Sequence, residues 1–328
     1  MSVAQHTQRC GTYAVGDLSN ATWYHGSRYS YPLRGEHTGG ALALLDVLQR
    51  QGTEPPPHVH HHEHELFVVL DGAVEFQVGA SIVRGAAGAV AFLPRGVPHR
   101  FAVQEPWQHL LVLVTPAGFE KYLGPFSRQA THMEEPPRAG ELDVSGMIAR
   151  GAEFGIEFVP PGVDMATLGH NQPEGLQARV RQREEGKTLN VMGIPTSIKL
   201  DAAESGGLIS VFVTDDAPRL GLPLHSHRDD DETVVVLEGR YLVQEGNAQR
   251  ELTAGMMAHF PRGVPHTYAN VGDTPGKLLI VTTPGGYEAF CRDVDRLGAG
   301  GSPARGAFLE IARRHGLEIV GPPVFNTP

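Results

Sequence analysis

Eight residues of this 328-residue chain fall into two sets of four with the same internal spacing. His58, His60, Glu65 and His99 form the first set; His225, His227, Glu232 and His266 form the second, each displaced by 167 residues. Three imidazoles and one carboxylate make an N/O donor set for a divalent transition metal such as iron, manganese, nickel, cobalt or copper. Four protein donors on an ion that prefers five or six leave positions open for a substrate, whereas a closed tetrahedral zinc site leaves none. The two sets therefore predict one metal ion in each half. Glu65 and Glu232 are the expected catalytic groups, because a loosely held carboxylate ligand can also move a proton.

The spacing also predicts the elements that hold these side chains. Residues two apart on a strand face the same side, so His58 and His60 point together, as do His225 and His227. Glu65 opens the apolar run Leu66–Leu70 and shares a face with Phe67 and Val69. His99 and His266 follow the turns Pro94-Arg95-Gly96-Val97-Pro98 and Pro261-Arg262-Gly263-Val264-Pro265, whose prolines and glycine fix the entry of the next strand. Phe67, Phe101 and Tyr268 have the same parity as ligands and are the candidate substrate-pocket residues, with filling of the barrel core as the alternative role. Trp23, Tyr24, Tyr29 and Tyr31 form an aromatic cluster that either caps a pocket or packs on the barrel. His61, His62 and His64 lack counterparts in the second half and read as turn or rim residues, not ligands.

The duplication reaches well beyond the ligands. Thr115-Pro116-Ala117-Gly118-Phe119-Glu120 is echoed by Thr283-Pro284-Gly285-Gly286-Tyr287-Glu288, and Ile148-Ala149-Arg150 by Ile311-Ala312-Arg313. Short apolar runs between Gly and Pro, such as Ala41–Leu48, Ala89–Leu93 and Leu110–Val114, have strand lengths. Helical patterns are confined to Gly118–Leu123, Val144–Ala152, Gly286–Arg296 and Pro303–His315. The expectation is an all-β protein of two tandem barrels with short helical appendices. The expected domains are residues 1–161 and 162–328, with 128–145 and 162–190 as loops or linker.

Composition narrows the function classes. Hydrophobic content of 41% and charged content of 20% describe a globular chain. A net charge of −10 argues against nucleic acid and anionic membrane surfaces as partners. Two cysteines, Cys10 and Cys291, cannot build a disulfide framework, so a reducing cytoplasm is the expected location. The segment MSVAQHTQRC lacks the pattern of a secretory signal, and no apolar run has the roughly 18 residues of a membrane span. Monomer and homodimer are both compatible with the chain.

The residues resemble the two cupin motifs, G-x5-H-x-H-x3–4-E-x6-G and G-x5-P-x-G-x2-H-x3-N. The chain is identified by them as a bicupin, and nearly all of it is covered. Val103 stands where the first repeat should have Asn, and Arg219 where the second should have Gly; neither is a ligand position. The Pro-Arg-Gly-Val-Pro-His turns, the Thr-Pro-x-Gly-Phe/Tyr-Glu segments and the Gly-Ile/Leu-Glu tails resemble the quercetin 2,3-dioxygenase group (quercetinase/pirin-type proteins). That resemblance implies double-stranded β-helix, jelly-roll-like barrels and a metal-dependent dioxygenase, iron being one candidate ion, with an aromatic substrate and O2. Glu65 or Glu232 would take the proton of a flavonol hydroxyl before dioxygen cleaves the ring. A related bicupin oxygenase tailoring another aromatic metabolite, an oxalate decarboxylase and a non-catalytic small-molecule-binding bicupin are the alternatives. Against the decarboxylase, His58-Val59-His60 and Glu65-Leu66 stand where that group usually has His-Trp-His and Glu-Trp.

Overall fold

The computed structural model describes residues 11–14, 17–138, 140, 143–168, 173, 175–298 and 305–325. The chain divides into two compact units, Val15–Glu185 and Gly186–Pro328, the second also taking the strand Gly11–Ala14, which pairs with Met256–Phe260. Each unit is built of two antiparallel sheets facing one another across an apolar core, as two cupin barrels require. The all-β expectation with short helices is met.

In the first unit an eight-stranded sheet runs in the order Arg128–Gln129, Ala21–Tyr24, Ser27–Leu33, Ala43–Arg50, Trp107–Thr115, His64–Val69, Val90–Leu93, Arg179–Arg181. A five-stranded sheet runs Ile156–Phe158, His58–His60, His99–Val103, Ala73–Val78, Ser81–Ala86. Alternate residues of the central strands meet in the core, among them Leu45, Val47, Phe67, Val69, Phe101, Leu110 and Val112. This is the two-residue side-chain period of a strand. Leu44, Leu66, Leu111 and Leu113 on the opposite face are buried too, which is why these segments read as continuous apolar runs.

The second unit repeats the plan. Its seven-stranded sheet is Gly11–Ala14, Met256–Phe260, Asp231–Glu238, Gly276–Thr283, Ser210–Asp216, Ile194–Leu200, Lys187–Val191, and its five-stranded sheet is Ala248–Thr253, Arg240–Glu245, His266–Asn270, Leu224–His227, Leu317–Gly321. The duplication extends to the peptide bonds, since Thr115-Pro116 and Thr283-Pro284 are both cis.

Three details differ from expectation. The first unit runs past Pro161 to Glu185, because Arg179–Arg181 pairs with Val90–Leu93 and Gln182 bonds the backbone of Arg84 and Ala86. A three-residue strand rich in arginine carries too little periodicity to be read as one. Gly118–Leu123 forms no α-helix; two 3₁₀ turns, Phe119–Lys121 and Gly124–Phe126, take its place, with Pro125 opening the second. Two four-residue helices, Gly35–Thr38 and Ala202–Ser205, escaped the pattern altogether. Their first N–H groups are accepted by buried Glu120 (3.1 Å) and Glu288 (3.2 Å), so the repeated Thr-Pro-x-Gly-Phe/Tyr-Glu glutamate caps a helix. The remaining helices, Val144–Glu153, Tyr287–Gly298 and Arg305–Arg314, lie where expected.

Candidate metal centres

Each centre lies between the two sheets of its unit. His58 and His99 are cross-strand partners on the five-stranded sheet, and His225 and His266 are the matching pair in the second unit. His60 and His227 follow two residues on. Glu65 and Glu232 come from the facing sheet, on His64–Val69 and Asp231–Glu238. In both clusters the ligand atoms of all four side chains lie within 4.8 Å of one another, and all eight residues are buried.

The turn before the last histidine is tied to the rest of the site. Gly96 and Gly263 sit at φ of 76° and 79°, in the left-handed region that favours glycine. Their N–H groups donate to the carbonyls of His60 and His227, at 2.7 and 2.6 Å. The residue preceding each glutamate grips the same turn from the other side. His64 Nδ1 accepts the Arg95 N–H at 3.0 Å, and Asp231 accepts the Arg262 N–H at 2.8 Å. Within each unit the three ligand-bearing segments are thereby tied to one another.

Tautomers follow from the partners. Nδ1 of His58 lies 2.8 Å from the Pro56 carbonyl and Nδ1 of His99 lies 2.9 Å from that of Val97. His225 and His266 make the same contacts with Pro223 (2.7 Å) and Val264 (2.9 Å). A carbonyl only accepts, so these Nδ1 atoms carry a hydrogen and Nε2 turns to the centre, where that of His266 lies 2.8 Å from Glu232 Oε2. His60 and His227 turn Nδ1 to a carboxylate instead, Glu63 at 3.4 Å and Asp230 at 2.6 Å. The buried Nε2 atoms of His60, His99 and His227 have no hydrogen-bond partner among the described residues. Orphaned nitrogens aimed at a carboxylate, in a donor set of this chemistry, fit a divalent transition ion.

The electrostatics agree. Burial, followed by the neighbouring imidazoles, pushes His58 and His225 down to about 3, so both are neutral donors at physiological pH. Burial raises the Glu65 carboxyl, but His99, His60 and His58 outweigh it and leave the group at about 2. Glu232 is held well below the carboxylate range by His227 and His266 in spite of its burial. Burial lowers His227, but the Asp230 and Glu232 carboxylates overcome it and lift the ring to about 10. A proton there occupies the charge that a cation would supply, and it must leave when an ion binds.

Beyond the ligands the two centres differ. The first opens onto a cavity of ≈ 40 Å³ lined by His58, Glu65, Phe67, Phe101, Tyr24, Tyr29, Tyr122 and Met147 among others. Of the three pocket residues expected from strand parity, Phe67 and Phe101 therefore lie beside Glu65, 5.1 Å apart by ring centroids. Tyr268 lies at the other centre, where its hydroxyl donates to Glu232 at 3.0 Å. The aromatic cluster splits: Tyr24 and Tyr29 line the cavity, while Trp23 packs on His132 and Tyr31 lies under Arg34. His61 is exposed and pairs with Glu157, whereas His64 is buried. Sequence reasoning missed Glu63, Asp230, Tyr122 and Met147. The first two had a signal, an acidic residue three beyond the second histidine at the common offset of 167.

Comparison with known proteins agrees with this architecture. The Cupin domain family model matches twice, at residues 45–113 and 212–282. Quercetin 2,3-dioxygenase of Bacillus subtilis is 23% identical over 263 residues, 79% of this chain and 78% of that protein. Among solved structures, Lactobacillus farciminis oxalate decarboxylase in its formate complex superposes with a TM-score of 0.58 at 16% identity, covering 84% of this chain and 86% of that one. A single-residue variant of the Bacillus subtilis oxalate decarboxylase gives 0.59 at 14% identity, covering 94% and 88%. At such identities the structural likeness speaks for the fold alone. No helix among the described residues is long and apolar enough to cross a membrane.

Proposed function

The chain is a bicupin with a three-histidine, one-glutamate cluster in each domain, and from that premise we propose that it is a metal-dependent dioxygenase whose working centre is the first. The reaction proposed is O2-dependent ring cleavage of a flavonol or a similar enolisable aromatic. One observation carries the choice of centre: the buried Glu65 carboxylate opens onto an aromatic-walled cavity, whereas Glu232 is engaged by Tyr268 and His266. The likeness to a quercetin 2,3-dioxygenase supports the substrate class.

His58, His60, Glu65 and His99 would hold the ion. A divalent transition ion held there would supply Lewis acidity toward the substrate hydroxyl. The remaining work belongs to the side chains. Glu65 would accept the proton of the substrate hydroxyl, with His99 Nε2 3.3 Å away. Phe67 and Phe101 give a flat substrate an apolar surface. The carbonyls of Pro56 and Val97 keep His58 and His99 from turning away.

The cavity volume favours a second version of the same chemistry. At ≈ 40 Å³ it is small for a three-ring flavonol, so a more compact aromatic metabolite is the alternative substrate.

Oxygen uptake with quercetin and with single-ring catechols tests the reading, on protein reconstituted separately with iron, manganese, nickel, cobalt and copper. Uptake matched to substrate loss and absent in Glu65→Ala is the expected result. No uptake with any metal, on protein carrying about two ions per chain, would remove the oxygenase and leave a small-molecule-binding bicupin.

A further inference from the structure

We infer that Met147 is the specificity-determining residue of the first centre, a side-chain plug carried by the helix Val144–Glu153. The inference rests on the first centre being the one that takes substrate, and it names what controls entry.

A cavity of ≈ 40 Å³ has room for about three waters, far below the ~150 Å³ that accepts one benzene ring. Any aromatic must displace a wall. Most walls are fixed. Leu45, Phe67 and Val112 lie on strands hydrogen-bonded on both sides, Ala43–Arg50, His64–Val69 and Trp107–Thr115. Moving any of them breaks ladders in the middle of the larger sheet.

Met147 is different. It is 5% exposed and lines the cavity, yet it rides on a surface helix where Val144 and Ile148 are 56% and 52% exposed. Only Met147 and Gly151 of that helix are buried. The Tyr122 hydroxyl donates to the Met147 carbonyl at 3.3 Å, and Arg150 donates to the carbonyls of Tyr122 and Lys121. The Tyr24 hydroxyl, itself in the cavity wall, reaches the Met147 sulfur at 3.7 Å. An unbranched thioether with three rotatable bonds can leave and refill such a space with little cost to its neighbours.

The duplicated half isolates the feature. Ile148-Ala149-Arg150 repeats as Ile311-Ala312-Arg313, which puts Glu310 in the place of Met147. Glu310 pairs with Arg313 at 3.0 Å on the surface, and Ala312 is the buried residue of its helix. The position of Met147 therefore carries no buried apolar side chain in the second unit.

The test uses the full chain loaded with cobalt, without oxygen, and 4-nitrocatechol, an enolisable aromatic whose absorbance reports coordination in a stopped-flow instrument. Met147→Ala should raise the association rate constant tenfold or more, and Met147→Phe should lower it tenfold or more. Glu310→Ala should leave it unchanged. Circular dichroism and metal content equal to the parent establish that the variants fold. Rates within twofold of the parent in both Met147 variants, or shifts in the same direction, overturn the plug. Opposite shifts without turnover of any aromatic would sink the oxygenase reading while the plug stands. Turnover with unaltered entry rates would do the reverse.

Discussion

The Tyr268 hydroxyl donates a 3.0 Å hydrogen bond to Oε1 of Glu232, and the residue at the corresponding position of the first unit is Phe101. This hydroxyl is one difference in the surroundings of two ligand sets of the same residue types. It ties down the second carboxylate and leaves Glu65 facing an apolar wall. Removing it with Tyr268→Phe should loosen the second centre alone. A hydrogen bond to a charged group contributes about 1.5–3 kcal/mol, so the unfolding midpoint should fall and chelators should strip one of two ions faster. Turnover per first-centre ion should stay within about twofold, because the substitution lies in the other unit. Chelator-release kinetics with two resolved phases would check this; a uniform acceleration of both would contradict it.

The two glutamates should then separate in kinetics. Glu65 is both a ligand of the first set and the proposed base, and a positioned carboxylate base contributes about 10²–10⁴-fold to proton transfer, so Glu65→Ala should cost the first ion and lower kcat by at least that order. Glu232→Ala should cost the second ion and some stability but leave kcat, normalised to first-centre metal, within a few-fold. If Glu232→Ala alone abolished turnover, the assignment of the working centre to the first unit would be wrong.

How far the sequence alone reached depended on period and repetition. The ligand strands were readable because parity and a common offset constrain eight residues at once, and a strand has only two faces. The turn Pro94–Pro98 was readable because proline and glycine each demand a particular backbone angle. Arg179–Arg181 was not, since three residues hold no period and its pairing with Val90–Leu93 is a tertiary event. The helix Gly35–Thr38 was missed for a related reason: its N-terminus is capped by Glu120, 85 residues away, and no local pattern announces that. Met147 lay within a helix that was expected, but which side of it meets the cavity depends on packing that the sequence does not state.

Glu63 and Asp230 orient His60 and His227 through Nδ1, and such carboxylates typically change metal affinity by about 10–100-fold when removed. The two contacts are unequal, 3.4 Å against 2.6 Å. Asp230→Asn should therefore weaken the second centre more than Glu63→Gln weakens the first. Competition against a coloured chelator at fixed pH measures both affinities. Equal losses would mean that the short Asp230 contact adds nothing to ion binding.

Asp216 gives the second unit a pH dependence that the matching position of the first cannot supply. Its buried carboxylate accepts hydrogen bonds from the Tyr241 and Thr214 hydroxyls, and the matching residue of the first unit is neutral Gln49. Burial lifts the Asp216 carboxyl above its ordinary value of 3.8, with those two hydroxyls pulling part of the way back. Just above 3.8 the folded chain keeps a proton at this residue that the unfolded chain has released. Stability from this group is therefore complete below that value and declines as pH rises, until the folded carboxyl has also ionised. Asp216→Asn keeps an acceptor for Tyr241 but cannot ionise, so it should lose none of this stability. Denaturant midpoints of metal-free parent and variant, compared from about pH 3.5 upward, should diverge in favour of the variant as pH rises. The other titrating groups are common to both proteins and cancel in the difference. A gap that stays constant over the range would show that Asp216 ionises alike in the folded and unfolded chains.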